Sequence, residues 1–175
     1  MRLALAALVL LLVAVAVWAL SRPYRPGSLA WRAVDRQVAA RFPDVPSIST
    51  DTLASRLASG AAPLLLDART PEEYAISHLP GAVRVDPDAS PEVLAEAVGQ
   101  ATRVVVYCSV GVRSGAVAER LRERGVEAAN LEGSIFRWAG EGRPVVRGGE
   151  PVGEVHPYDA VWGRLLAPDL RADLD

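Results

Sequence analysis

Cys108 is the single cysteine of this 175-residue chain, and it stands in Tyr107-Cys108-Ser109-Val110-Gly111-Val112-Arg113-Ser114. The run before it, Arg103-Val104-Val105-Val106-Tyr107, is β-branched and reads as a buried strand; the residues after it have helical spacing. In open α/β sheets, ligands bind outside the carboxyl ends of the strands. A short loop entering a helix turns backbone N–H groups inward and adds the positive end of the helix dipole. Both favour an anion at the loop centre, so a thiolate at Cys108 has a lowered pKa and is a nucleophile at neutral pH. Ser109, Val110, Gly111, Val112 and Arg113 form the substrate wall in this reading, with Ser114 as structural support. Gly111 admits a backbone angle that other residues resist. Arg113 carries a permanent charge that either binds an anionic substrate or steadies the loop. A buried structural cysteine is the common fate of a free thiol, but Gly111, Arg113 and the strand–loop–helix setting argue against it.

Composition removes most other chemistries. All 19 basic residues are Arg, so a Schiff-base lysine and a phosphate-loop lysine are excluded. One cysteine forbids an intrachain disulfide and a cysteine-rich zinc site, and two histidines, His78 and His156, argue against a His-based metal site. The net charge of −2 points to no nucleic acid.

The elements that must position Cys108 alternate between strand and helix. Pro63–Asp67, Ala82–Val85, Arg103–Tyr107 and Glu127–Leu131 are short apolar runs that fit buried strands. Between them, Thr50 caps a helix carrying Leu53 and Leu57, Pro91–Val98 forms another, and Gly115–Arg124 a third that ends at Gly125. Ser134–Ala139 is a last short helix. Buried strands between helices predict an α/β fold with a mostly parallel sheet.

Ahead of this domain, every residue from Leu3 to Leu20 is apolar, and without residues 1–20 the apolar share falls to about 45%, ordinary for a soluble domain. As a helix the run rises about 27 Å, enough to cross a hydrocarbon core of about 30 Å. An uncleaved membrane anchor is the preferred reading, with a cleaved secretory signal ending near Ala19 as the alternative. Arg22, Arg25, Arg32, Arg36 and Arg41 follow the span and favour a cytoplasmic domain; signal cleavage implies a secreted or periplasmic one. Leu29–Phe42 reads as an amphipathic helix with Trp31, Val34, Val38 and Phe42 on one face. That face lies on the membrane or packs against the domain. The division is thus 1–21 hydrophobic segment, 22–46 helix and Pro43–Pro46 linker, 47–147 α/β domain, and 148–175 a tail with no assigned role.

Cys-x-x-Gly-x-Arg-Ser at Cys108–Ser114 resembles the active loop of rhodanese-type sulfurtransferases. Leu66-Asp67-Ala68-Arg69, Glu73-Tyr74 and His78-Leu79-Pro80-Gly81-Ala82 are similar to that family's first signature, and Leu131–Ile135 with Trp138, Gly142, Pro144 and Val145 to its closing segment. The motifs run in the family's order over about Ile48–Val146. Ser77 and Ser134 depart from it where the family has glycine. The resemblance implies a rhodanese-like three-layer domain and a Cys108 persulfide, filled from thiosulfate, a persulfide or a polysulfide and emptied by a thiol or cyanide. It implies no cofactor and no metal. A non-catalytic sulfur carrier or redox sensor using the same cysteine is the alternative. Cysteine phosphatases use Cys-x5-Arg, one residue longer than Cys108–Arg113, and a histidine where Tyr107 stands.

Asp67 and Arg69 end a strand near the site and read as an ion pair or hydrogen bonds fixing the loop beside Cys108. His78 reads as structural, because a low-pKa thiolate needs no general base. Glu72 and Glu73 follow Pro71 in a first helical turn, where acidic residues favour the dipole. Trp138 belongs to the core and His156 to the solvent-exposed surface. Trp162, Leu165 and Leu166 either cover the domain or meet a partner.

Overall fold

The computed structural model describes residues 28–174. The Leu3–Leu20 run lies outside the described residues; among those described, no helix is long and apolar enough to cross a membrane. The order is α1 (Leu29–Arg41), β1 (Ser47–Ile48), α2 (Thr50–Ala58), β2 (Leu64–Asp67), α3 (Pro71–Ile76), β3 (Val83–Arg84), α4 (Pro91–Val98), β4 (Arg103–Tyr107), α5 (Val112–Glu123), β5 (Glu127–Leu131), α6 (Ser134–Gly140), β6 (Val145–Arg147) and β7 (Glu150–Val152). Two 3-10 turns follow, Trp162–Leu165 and Pro168–Leu170.

β1 to β5 form one sheet in the order β1-β5-β4-β2-β3, with every pairing parallel. β4 sits at its centre, and the period-2 alternation of its side chains divides the core. Val105 and Tyr107 join Leu65, Leu53, Ile135 and Phe136 on one face. Val104, Val106 and Cys108 join Leu66, Leu94, Val117 and Leu121 on the other. Helices therefore cover both faces, giving the α/β fold expected from the alternation of elements and the three layers that the family resemblance implies. Parallel strands buried on both faces need continuous apolar sequence, which β2 and β4 supply.

Several boundaries differ from expectation for local reasons. Ser49, not Thr50, caps α2: its side chain accepts from the Thr52 N–H at 3.2 Å. Helix α5 starts at Val112, three residues ahead of Gly115, because Gly111 at φ +116° turns the chain directly into it. β1 escapes the apolar pattern, since two residues at the sheet edge are too few to show a period. Gly148 and Gly149, at φ +57° and +91°, close the β6–β7 hairpin just past the expected domain end near Arg147.

Of the two surfaces open to the Leu29–Phe42 helix, α1 takes the domain. Trp31 and Val34 are buried in the core beside Tyr107 and Phe136, and complete burial of such a side chain contributes about 1.5–3 kcal/mol or more. Asp35 holds Arg137 of α6 at 2.7 Å. Phe42, just beyond α1, lies on the opposite face against α5, where a methyl added to Gly115 would stand 2.4 Å from its ring. The tail closes over the domain too: Val155 and Leu166 are core residues, with Trp162 and Leu165 packed against them.

Gly115 is thus the socket for Phe42. Gly115→Ala is expected to destabilise the fold by about 1–3 kcal/mol through overpacking. Denaturant unfolding reads this directly, and adding Phe42→Ala should make the Gly115→Ala step nearly neutral.

Candidate active site

Cys108 follows the central strand at the carboxyl edge of the sheet and is only 1% exposed. Its Sγ accepts the Gly111 N–H at 3.1 Å and the Ser114 N–H also faces it. The first intrahelical hydrogen bond of α5 runs from Gly115 N–H to the Gly111 carbonyl. The amides of Val112, Arg113 and Ser114 therefore have no helical acceptor and remain available to a ligand at the helix start.

The loop is fixed from three directions. Asn130, at the end of β5, donates from Nδ2 to the Gly111 carbonyl at 2.8 Å and accepts the Ser114 hydroxyl at 2.7 Å. Ser134 Oγ accepts the Cys108 N–H at 3.1 Å, while the N–H groups of Ile135 and Phe136 donate to the carbonyls of Cys108 and Ser109. The third anchor is Glu73. Its carboxylate accepts Ser109 Oγ at 2.8 Å and both ends of the Arg113 fork at 2.6 and 2.7 Å. Of the two roles open to Arg113, the geometry shows loop support, since Nη1 and Nη2 are both directed at Glu73 and Nη2 also reaches Ser109 Oγ.

Glu73 does cap α3, as its position in the first turn suggests. Thr70 and Glu73 form a reciprocal capping box, with Thr70 N–H on the carboxylate at 3.1 Å. Its hold on the cysteine loop is additional and is absent from the sequence reading. Asn130 and Ser134 are likewise loop supports that local spacing does not reveal. The family-like Glu73-Tyr74 pair was the available signal for the first and the family-like Leu131–Ile135 segment for Ser134; Asn130 had none beyond lying at the same sheet edge.

Asp67 and Arg69 form a fully buried pair at 2.6 Å, one strand from Cys108. Arg69 Nη2 also donates to the Ser77 carbonyl at 2.6 Å, and the Ala68 N–H to the Tyr107 carbonyl at 2.8 Å, so the pair ties the end of β2 to β4 and to the α3–β3 connection. His78 stacks on Tyr74 at 3.9 Å, and its backbone bridges to Val146, a structural placement. The Tyr107 hydroxyl oxygen accepts the Leu79 N–H at 3.0 Å. Trp138 is buried and donates to the Pro144 carbonyl. His156 departs from expectation: it is half-buried, and its Nδ1 accepts the Tyr158 N–H at 2.9 Å. Burial and the nearby guanidinium groups of Arg69 and Arg113 lower its pKa, against the opposing pull of Glu73.

Above the sulfur lies a cavity of about 180 Å³ lined by Ser109, Val110, Val112 and Arg113 of the loop, Gln37 of α1, and Tyr158 and Trp162 of the tail. Among the described residues, no group of His, Cys, Asp or Glu is arranged to hold a metal ion.

Residues 49–141 match the model of the rhodanese-like domain. The chain belongs to that family. A sulfurtransferase of Allochromatium vinosum is 35% identical over 103 residues, 58% of this chain and 95% of that one. YtwF of Bacillus subtilis, also named a sulfurtransferase, is 32% identical over 58% of this chain and 97% of its own. The crystal structure of a rhodanese-related protein from Thermoplasma volcanium superposes with a TM-score of 0.52 at 28% identity, covering 58% of this chain and 97% of that one. In this rhodanese-like domain the matched region contains the cysteine loop and its three anchors, whereas Gln37, Tyr158 and Trp162 lie outside it.

The electrostatics at the sulfur have a definite sign. Burial pushes the Cys108 thiol up, but Arg113, Ser114 and the Gly111 amide together outweigh it and hold the pKa below its ordinary value. Thiolate absorbance of the rhodanese-like domain is therefore expected to titrate below the free thiol's range of about 8.5. Arg113→Met should move that midpoint upward, and Arg113→Lys, which retains the charge, should move it less.

Burial also opposes ionisation of Glu73, yet Arg113, Thr70 and Ser109 lower its pKa to about 2. A depressed carboxylate stabilises the fold above its unfolded pKa of about 4.3 and loses that contribution as the pH falls toward the folded value. The contribution is on the order of 3 kcal/mol at neutral pH. Glu73→Gln should accordingly be less stable at pH 7, with the gap to the natural protein narrowing as denaturation is measured at successively lower pH.

Proposed function

We propose that this chain is a single-domain sulfurtransferase that carries sulfane sulfur on Cys108. The observation that carries the reading is the sulfur of Cys108 held under the Gly111 and Ser114 amides, with its pKa lowered, at the start of α5. The thiolate attacks the terminal sulfur of a persulfide R–S–SH. A new S–S bond forms to Cys108 as the donor's own S–S bond breaks, and RS⁻ leaves. The proton stays on the transferred sulfur. After that proton is lost to solvent, the Cys108–S–S⁻ anion rests among the amides at the start of α5, of which those of Gly111 and Ser114 already face the sulfur and cost no reorganisation. Cyanide then takes the outer sulfur as thiocyanate and restores the thiolate; a thiolate acceptor takes it as a new persulfide.

Donor charge favours a persulfide over thiosulfate. Glu73 is ionised and compensates the Arg113 charge, so Cys108, Glu73 and Arg113 together bear one net negative charge when the thiol is deprotonated. A compact dianion meets net repulsion there. Location is a separate proposal: the uncharged Leu3–Leu20 run anchors the chain, and the five arginines after it hold the domain on the cytoplasmic side.

The reaction is tested with the full chain, cyanide as acceptor, and either thiosulfate or glutathione persulfide as donor. Thiocyanate should form with ping-pong kinetics, KM should be lower for glutathione persulfide, and Cys108→Ser should abolish turnover. A stable Cys108 persulfide without turnover would instead establish the carrier, and no persulfide with either donor would sink both.

A further inference from the structure

The mouth of the Cys108 cavity is built from residues outside the matched family domain. The tail enters the core at Val155, passes over the site and returns at Leu166, both buried. Between them the Tyr158 ring lies 4.8 Å from the Arg113 guanidinium, and Trp162 completes the wall. Gln37 faces them from α1, while Val110 and Val112 form the apolar floor beside the sulfur.

This wall is held in place. Tyr158 adopts φ +66°, a left-handed conformation that a non-glycine residue avoids unless its surroundings enforce it. His156 Nδ1 accepts the Tyr158 N–H, and Asp159 Oδ1 accepts the N–H groups of Val161 and Trp162 at 2.8 and 2.7 Å. Gly163 lies against Pro157, where a Cβ would stand only 2.9 Å away. Despite this ordering, the Tyr158 side chain is not consumed by packing: the residue is 45% exposed. An aromatic held in a strained backbone position, half-open beside a buried nucleophile, has unspent surface facing incoming substrate.

We infer that Tyr158 and Trp162 are specificity-determining residues that select an organic persulfide with an uncharged, apolar carbon body and disfavour compact inorganic anions. The inference rests on the sulfurtransferase reading of Cys108 and deepens it. The donor's terminal sulfur reaches Cys108 while its carbon side lies on the two rings. Tyr158 also covers the guanidinium that an inorganic anion would seek, and Glu73 already engages the fork of that guanidinium from its other partners' side.

The test compares benzyl persulfide with thiosulfate, cyanide being the common acceptor, in the full chain and in Tyr158→Ala, Trp162→Ala and the double variant. In the natural protein kcat/KM should favour benzyl persulfide. The double variant should lose at least tenfold in that value, mainly through KM, while thiosulfate changes less than threefold. Tyr158→Arg, which adds an uncovered cation at the mouth, should shift the ratio of the two donors toward thiosulfate by at least tenfold. Equal losses for both donors would show that the tail only supports the loop, and an unchanged ratio in every variant would show that the rings do not touch the donor; either overturns the inference while leaving the sulfurtransferase reading intact. Absence of turnover with both donors in the natural protein would overturn the two together.

Discussion

A buried carboxylate governs the architecture of the site. Glu73 is 2% exposed and ionised, a state that costs several kcal/mol unless the charge is paired and its oxygens are hydrogen-bonded. Here the Thr70 amide, the Ser109 hydroxyl and both ends of the Arg113 fork satisfy it. These donors come from the start of α3, the cysteine loop and the first turn of α5. None can move away without leaving part of the charge unpaired. The loop is therefore held in one shape, with the Gly111 and Ser114 amides aimed at the sulfur of Cys108.

That arrangement also divides the electrostatic work. The fork of Arg113 is spent on Glu73 and Ser109, so it offers an incoming substrate little directed hydrogen bonding. Its charge still favours the Cys108 thiolate, because Coulomb interaction needs proximity and not a shared hydrogen bond. Direct contact with the Cys108 sulfur comes from the Gly111 and Ser114 amides and, at 3.4 Å, the Ser114 hydroxyl, none of which carries a charge to be cancelled. In the proposed reaction, thiol activation and substrate charge selection are thereby separated, and discrimination among donors passes to the neutral surfaces around the cavity.

The strand–loop–helix unit and the parallel sheet were legible because their signals are local: β-branched runs, Gly111 and the residues flanking Cys108. The anchors were not legible, since they meet the loop from far along the chain. Glu73 reaches Arg113 across 40 positions and Ser134 reaches Cys108 across 26. Glu73 was further concealed by having a sufficient local explanation in its capping role. Asn130 is a polar residue within an otherwise ordinary strand, and nothing in that strand indicates that its amide bridges Gly111 and Ser114. The tail resisted reading for a different reason. Its path is set by 3-10 turns and by side-chain bonds to nearby amides, as at Asp159, and such chains have no hydrophobic period.

The two departures from the family's glycine pattern have different physical consequences. Ser77 has φ −169°, extended backbone open to any residue, so a glycine is not needed there. Ser134 has φ +50°, a left-handed conformation that costs a side-chain-bearing residue roughly 1–2 kcal/mol. Its hydroxyl recovers a similar amount: it accepts the Cys108 N–H and donates to the Leu131 carbonyl, and each such bond contributes about 0.5–1.5 kcal/mol net. A glycine would relieve the strain but leave the buried Cys108 amide without this acceptor. The serine thus exchanges backbone strain for a hydrogen bond that orients the peptide of Cys108 itself, which explains how α6 can begin at a strained residue and still align the cysteine loop.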